Sequence, residues 1–279
     1  MNLEQQPTWS KGDLRRLGEA LVIDKAATPD GCPQYDEVMH WYSELAAEVF
    51  GRISDELLAA RPLDQLSISA RPKTIDTLVQ KLQRQRSLKL GQVQDIAGVR
   101  VDADIVLTQQ TRLAHEIAEY FGTDRAIIRD IRENPHSGYR AVHVWLVLPA
   151  GRVEVQVRTL AQSAWANAYE GIAEFYGRGI RYGEEPVDAH VQEIVHKMHG
   201  FSRTILDFEE GVDRKWQFEH LPRRLRRRYR KVDSSYKKAT PAYTTMMESM
   251  EDFLDSLRDL YRNYNDLRGS KYCGPAEEV

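Results

Sequence analysis

The chain of 279 residues is long enough for one catalytic domain with helical additions, and 42% hydrophobic against 29% charged residues is the balance of an ordinary globular protein. No uninterrupted apolar run approaches the roughly 18 residues of a membrane span, and the opening MNLEQQPTWS lacks the basic start and apolar stretch of an export signal, so a cytoplasmic protein with no membrane role is expected. Cys32 and Cys273, at opposite ends of the chain, exclude a disulfide framework or structural zinc site, and a net charge of -3 excludes a general polycation.

In chain order, a short helix is expected behind Ser10, with Asp13 three residues on in capping-box register. From Pro33 to Arg61 the apolar positions, among them Tyr35, Val38, Tyr42, Leu45, Val49 and Ile53, recur at three and four residues and predict one long amphipathic helix. Between residues 65 and 158 the pattern changes. Strand-like runs at 65–70, 96–102, 126–131, 141–148 and 153–158 alternate with helical patterns at 75–84 and 108–121, and Pro149-Ala150-Gly151 reads as a tight turn. Two connections are long enough for crossover helices. The expected centre is an α/β fold, a mixed five-stranded sheet flanked by helices. Helices are expected at 160–176, 187–218 and 240–268, with a Gly-rich break at 177–183.

Several segments carry candidate chemistry. Lys73, Thr77 and Lys81 are spaced by four on one helix, so two ammonium groups and a hydroxyl share a stripe suited to an oligophosphate or to solvent. In Asp95-Ile96-Ala97-Gly98-Val99-Arg100 the acid and base are five apart, an odd spacing that separates faces in a regular strand. Both reach one ligand if Asp95 sits at the loop end, the option adopted here, or if Gly98 marks a bulge. Within Asn134-Pro135-His136-Ser137-Gly138-Tyr139-Arg140-Ala141-Val142-His143, Tyr139 and His143 are expected to share a strand face. Tyr139 stacks on a base or fills a core, and His143 taken alone reads as structural. Val153-Glu154-Val155-Gln156-Val157-Arg158 alternates strictly and lines one surface with a carboxylate, an amide and a guanidinium. The run Arg223, Arg224, Arg226, Arg227, Arg228, Arg230 and Lys231, with Tyr229 inside it, suits phosphate contacts, or a solvated face paired with the acids from Glu248 to Asp255.

Taken together, the helix start at Arg71-Pro72-Lys73 with Thr77 and Lys81 in register, DIAGVRV, NPHSGYRAVH and VEVQVRT resemble the synthetase domain of the RelA/SpoT family over about residues 71–176. The resemblance implies a nucleotidyltransferase-like fold and transfer of the β,γ-pyrophosphate of ATP to a ribose 3′-hydroxyl with Mg²⁺. Asp95 and Glu154 would be the catalytic carboxylates and metal ligands, with Glu154 also taking the hydroxyl proton. Arg71 and Arg100 would sandwich adenine, Lys73, Thr77 and Lys81 would hold the phosphates, and Tyr139, His143, Gln156 and Arg158 would serve the acceptor. It further implies N-terminal helices over 1–62, a transferase core over 63–185 and a helical extension over 186–279, in a stand-alone small synthetase. Where the family usually has Lys and Asn before the Gly-Tyr pair, this chain has His136 and Ser137. Two acceptors follow: GDP or GTP, giving an alarmone, or the tRNA 3′ end, as in toxic relatives, with the basic run as tRNA contact. A catalytically inactive nucleotide- or RNA-binding module is the third reading. An antitoxin protein and a second copy of the chain are candidate partners.

Overall fold

A computed structural model describes residues 1–59 and 66–221, together with Thr244, Thr245, Glu248, Ser249 and Asp252. The basic run at 223–231 and most of the expected helix at 240–268 lie outside the described residues. Two compact units divide the chain: residues 1–133 with 141–160, and residues 134–140 with 161 onward. These boundaries differ from the division at 62 and 185, because the N-terminal helices join the sheet's own core while the segment Asn134–Arg140 belongs to the second unit.

The first unit opens with helix α1 (Lys11–Ile23), where Ser10 and Asp13 form the expected reciprocal cap. Helix α2 (Tyr35–Gly51) runs into a π-helical turn at Arg52–Leu58, so the long regular helix expected to Arg61 stops being α-helical at Gly51. The wider turn has a physical benefit: it brings Ile53 and Leu58, five residues apart, to one buried side. Strand β1 (Leu66–Pro72), helix α3 (Ile75–Arg84), β2 (Ala97–Ala103), α4 (Leu107–Phe121), β3 (Ala126–Asp130), β4 (Val142–Leu148) and β5 (Gly151–Thr159) follow.

The sheet order is β1-β2-β5-β4-β3. Only β2 and β5 pair in parallel, and β1, β4 and β3 join antiparallel, so the sheet is mixed as expected. Of the two expected crossovers, α4 is one, carrying the chain from β2 across the sheet to β3; α3 instead links antiparallel neighbours. The turn between β4 and β5 is two residues long, with Gly151 at φ +148°. A Cβ there would meet Leu45 at 3.0 Å and Tyr42 at 3.1 Å, so glycine answers both to conformation and to the approach of α2.

Alternation in the strands sorts the two faces. Val99, Val101, Val144, Leu146, Val153, Val155 and Val157 are fully buried and join the apolar stripes of α2 and α4 in one core. Both helices lie on that face. The opposite face carries the polar residues.

The second unit has its own core, built from helix α5 (Leu160–Tyr176), a 3-10 turn (Arg178–Tyr182) and helix α6 (Ala189–His220), around Trp165, Tyr169, Ile172, Met198 and Ile205. Among the described residues no helix is long and apolar enough to cross a membrane.

Candidate active site

Strand register sets the polar face of the first unit. Arg71, Gly98, Glu154, Trp145 and Ile127 stand in one row across the five strands, and Ser69, Arg100, Gln156, His143 and Arg129 in the next. Pairs opposite each other share a face, so Arg71 and Arg100 lie on the same side as Glu154 and Gln156. Gly98 leaves the row open between Arg71 and Glu154, and a Cβ there would sit 3.0 Å from the Arg71 carbonyl oxygen. The register runs through Gly98 unbroken, so it is no bulge. Asp95 sits in the turn ahead of β2, the loop-end position expected for it.

Asp95 is an anion held between two cations. Its Oδ2 accepts a hydrogen bond from Lys73 Nζ at 2.7 Å and its Oδ1 one from Lys81 Nζ at 2.8 Å. Burial pushes this carboxyl up, but the two ammonium groups outweigh it and hold the group below the ordinary carboxylate range, against the opposing charge of Glu154. Thr77 is turned elsewhere: its hydroxyl donates to the Thr74 carbonyl at 2.9 Å at the start of α3. The expected single helical stripe is not formed, because the helix starts behind its N-cap Thr74: Lys73 reaches Asp95 from ahead of α3 and Lys81 from within it, and the Thr77 hydroxyl is used in the helix's first turn.

Glu154 is the more deeply placed carboxylate, 8% exposed. Its Oε1 meets His143 Nδ1 and accepts from Trp145 Nε1, each at 3.1 Å, and its Oε2 accepts from Gln156 Nε2 at 2.7 Å. Gln156 in turn accepts from Arg158 Nη2 at 2.5 Å. Every donor in this chain points toward Glu154. Burial favours the protonated form, yet the His143 imidazole, the Gln156 amide and the Lys81 ammonium outweigh it and bring the carboxyl down to about 2. Lys81 therefore acts on both Asp95 and Glu154, and the two acids act on each other.

His143, Gln156 and Arg158 are thus assembled around Glu154. Trp145 is a partner the sequence reading overlooked. It lies two residues beyond His143 on the same strand face, carries an indole N–H, and has the Arg129 guanidinium 5.1 Å from its ring centre. Period-two alternation from His143 was the signal that would have found it.

Tyr139 departs from expectation. It does not extend the strand of His143, because Ser137 (φ +50°) and Gly138 (φ +83°) reverse the chain and pair Tyr139 with His136, and β4 begins only at Val142. Tyr139 belongs to the second unit, half-buried against the core of Trp165 and Met198. Arg223, Arg224, Arg226, Arg227, Arg228, Arg230 and Lys231 lie outside the described residues.

Among the described residues no group of three or more histidines, cysteines and acids is placed to hold a metal ion. Asp95, in the turn ahead of β2, and Glu154, on the polar face of the adjacent β5, are two hard oxygen donors of the same unit. Such a set fits Mg²⁺, which takes one or two protein carboxylates and completes its shell from water and substrate phosphates.

Residues 70–175 match the model of the region found in RelA / SpoT proteins, which marks a pyrophosphokinase-like transferase domain. Rv1366 of Mycobacterium tuberculosis and Mb1401 of Mycobacterium bovis are each 52% identical to this chain over 209 residues, covering 72% of it and 75% of the relative. The chain belongs to the RelA/SpoT family. Among solved structures, small alarmone synthetase 1 from Bacillus subtilis aligns at a TM-score of 0.48 with 19% identity, covering 66% of this chain and 94% of that one.

Proposed function

We propose that the chain transfers the β,γ-pyrophosphate of ATP to the 3′-hydroxyl of a guanine nucleotide, GDP or GTP. What supports this reading is geometry on one polar face: Asp95 receives hydrogen bonds from Lys73 at 2.7 Å and Lys81 at 2.8 Å, and Glu154 shares a strand row with Arg71, with Arg100 in the next row. In the reaction the acceptor 3′-oxygen bonds to the β-phosphorus, the bond from that phosphorus to the α,β-bridging oxygen breaks, AMP leaves, and the hydroxyl proton passes to a base. Such a transfer asks mainly for charge neutralisation and in-line positioning.

The residues divide that work. Lys73, just ahead of α3, and Lys81, within it, exchange their Asp95 partner for the triphosphate, and Thr77 stands in the first turn of that helix. Arg71 and Arg100 are diagonal neighbours across β1 and β2, at about the 7–8 Å such positions keep, which is room for a flat base between two guanidinium planes. Asp95 and Glu154 would hold Mg²⁺, which would supply Lewis-acid neutralisation of phosphate charge. Glu154, held down to about 2, stays ionised but is a weaker proton acceptor than an ordinary glutamate, so it serves first as an oxygen donor and orienting group. It becomes the better base if substrate draws Lys81 away.

A second acceptor is favoured by two sequence observations, the basic run from Arg223 to Lys231 and His136-Ser137 ahead of Gly138. There the acceptor is the tRNA 3′ end, and the chain is a translation-blocking toxin restrained by an antitoxin protein. One assay separates the readings: the protein with labelled ATP, Mg²⁺ and GDP, GTP or bulk tRNA. Label in guanine nucleotide alone supports the alarmone reading and label in tRNA alone the toxin reading. Transfer to neither overturns both.

A further inference from the structure

Asp95 stands ahead of the first pair of the β2–β5 ladder, Ala97 with Val153, so backbone pairing does not fix it against the strand of Glu154. One side of its turn is held from β1, where the Lys73 backbone N–H donates to the Ile96 carbonyl at 3.1 Å. The other side is held by a side chain. Gln94, immediately before Asp95, is only 7% exposed, and a primary amide that deep needs partners for its donors and its acceptor. Its Nε2 donates to the Leu146 carbonyl at 3.0 Å and to the Val153 carbonyl at 2.8 Å, and its Oε1 accepts from Arg152 Nη1 at 3.1 Å. Leu146 and Val153 face each other across β4 and β5, and the next pair along is Trp145 with Glu154. One amide therefore fastens the turn of Asp95 beside the strand pair that carries Glu154. All these residues belong to the first unit.

The tie gains weight when substrate binds. In this structure Asp95 is also oriented through its own carboxylate, by Lys73 and Lys81. On the proposed reading both lysines turn to the triphosphate, and Asp95 loses those two bonds. The Gln94 tethers involve neither the carboxylate nor the lysines, so they survive that exchange. Oxygen ligation of Mg²⁺ tolerates little error in geometry, and a turn free to shift by about an ångström would part the two carboxylates.

We infer that Gln94 is a positioning residue for Asp95: through the Leu146 and Val153 carbonyls it sets that carboxylate at a fixed distance from Glu154. This rests on the reading of Asp95 and Glu154 as the carboxylates that serve transfer. Gln94 acts through its neighbour and touches no reacting atom.

The test compares Gln94→Met, Gln94→Glu and Asp95→Asn in the full chain. Gln94→Met removes all three bonds at similar length; Gln94→Glu keeps the shape and removes both donors, and carries the same comparison if the methionine variant does not fold. Amide exchange of residues 93–96 is read without substrate or metal, and transfer from ATP to GDP, GTP and tRNA is read over a series of Mg²⁺ concentrations. Both Gln94 variants are expected to speed exchange at the turn by roughly ten-fold and to leave the amides of α4 unchanged. Their half-saturating Mg²⁺ concentration should rise about ten-fold or more, as changes just outside a metal's ligands do, and excess Mg²⁺ should recover most of the rate. Asp95→Asn, which removes an oxygen donor, should not be recovered by Mg²⁺. A folding defect alone would lower the rate at every Mg²⁺ level and leave the half-saturating value in place. Unchanged turn exchange in the Gln94 variants overturns the inference, as does faster exchange with the parental Mg²⁺ requirement while Asp95→Asn loses transfer. If Asp95→Asn transfers like the parent, or the parent transfers to no acceptor, the reading of the carboxylates fails instead, and exchange alone decides whether Gln94 holds the turn.

Discussion

Replacing Glu154 by glutamine tests the direction of the hydrogen-bond chain that ends on it. Arg158 donates to Gln156, Gln156 donates to Glu154 Oε2, and Trp145 donates to Oε1, so only a group that accepts on both oxygens satisfies every donor. Glutamine brings one NH₂. If that NH₂ faces Gln156, two donors oppose each other, and flipping Gln156 moves the clash to Arg158. A buried donor is left unsatisfied at a cost of roughly 1–3 kcal/mol. At about 2–4 °C per kcal/mol for 150–250 residues, the melting temperature should fall by roughly 2–12 °C. Transfer should fall on the order of a thousand-fold or more with the loss of an anion from the reacting centre. The compensating double variant, Glu154→Gln with Gln156→Glu, restores the pattern: Arg158 then meets a carboxylate at position 156, the introduced amide NH₂ at position 154 donates to that carboxylate, and the amide oxygen faces His143 and Trp145. It should recover most of the lost melting temperature and none of the activity, since the charge has moved two residues along the strand. Thermal melts at neutral pH with a transfer assay on the same samples decide the matter. A single variant that melts like the parent, or a double variant no more stable than the single, would refute the reasoning.

Three further outcomes are expected. Glu154 drops from the ordinary 4.5 to about 2 in the folded chain, so its contribution to stability is present above 4.5 and lost as pH falls toward 2; urea unfolding across that window should decline less steeply in Glu154→Gln than in the parent. Lys81→Met takes a cation from both Asp95 and Glu154, letting both carboxyls rise, so the acid limb of kcat/KM should move to higher pH and the ATP KM should rise about ten-fold; a limb that stays put would separate Lys81 from the carboxylates. Trp145→Phe keeps the ring under Arg129 but removes a donor to Glu154, and should cost about 1 kcal/mol with a visible drop in melting temperature, whereas an unchanged melt would show that the indole N–H contributes nothing there.

What was legible in the sequence was whatever depends on neighbours along the chain. Alternation at 153–158 assigned three valines to one face and Glu154, Gln156 and Arg158 to the other, and the observed strand agrees because side-chain direction in a strand has period two whatever lies beside it. The same holds for the Ser10 cap, for the helix at 75–84 and for Asp95 at the loop end. Tertiary structure decided what no spacing encodes. The strand order β1-β2-β5-β4-β3 set β5 between β2 and β4, which put Trp145 opposite Glu154 and Gly98 on its other side. It closed Lys73 and Lys81 on Asp95. The backbone reversal at Ser137 and Gly138 took Tyr139 out of the strand of His143 and set its turn against Ser202, far along the chain, because left-handed dihedrals and a buried hydroxyl are satisfied by packing and leave no periodic trace in the order of residues.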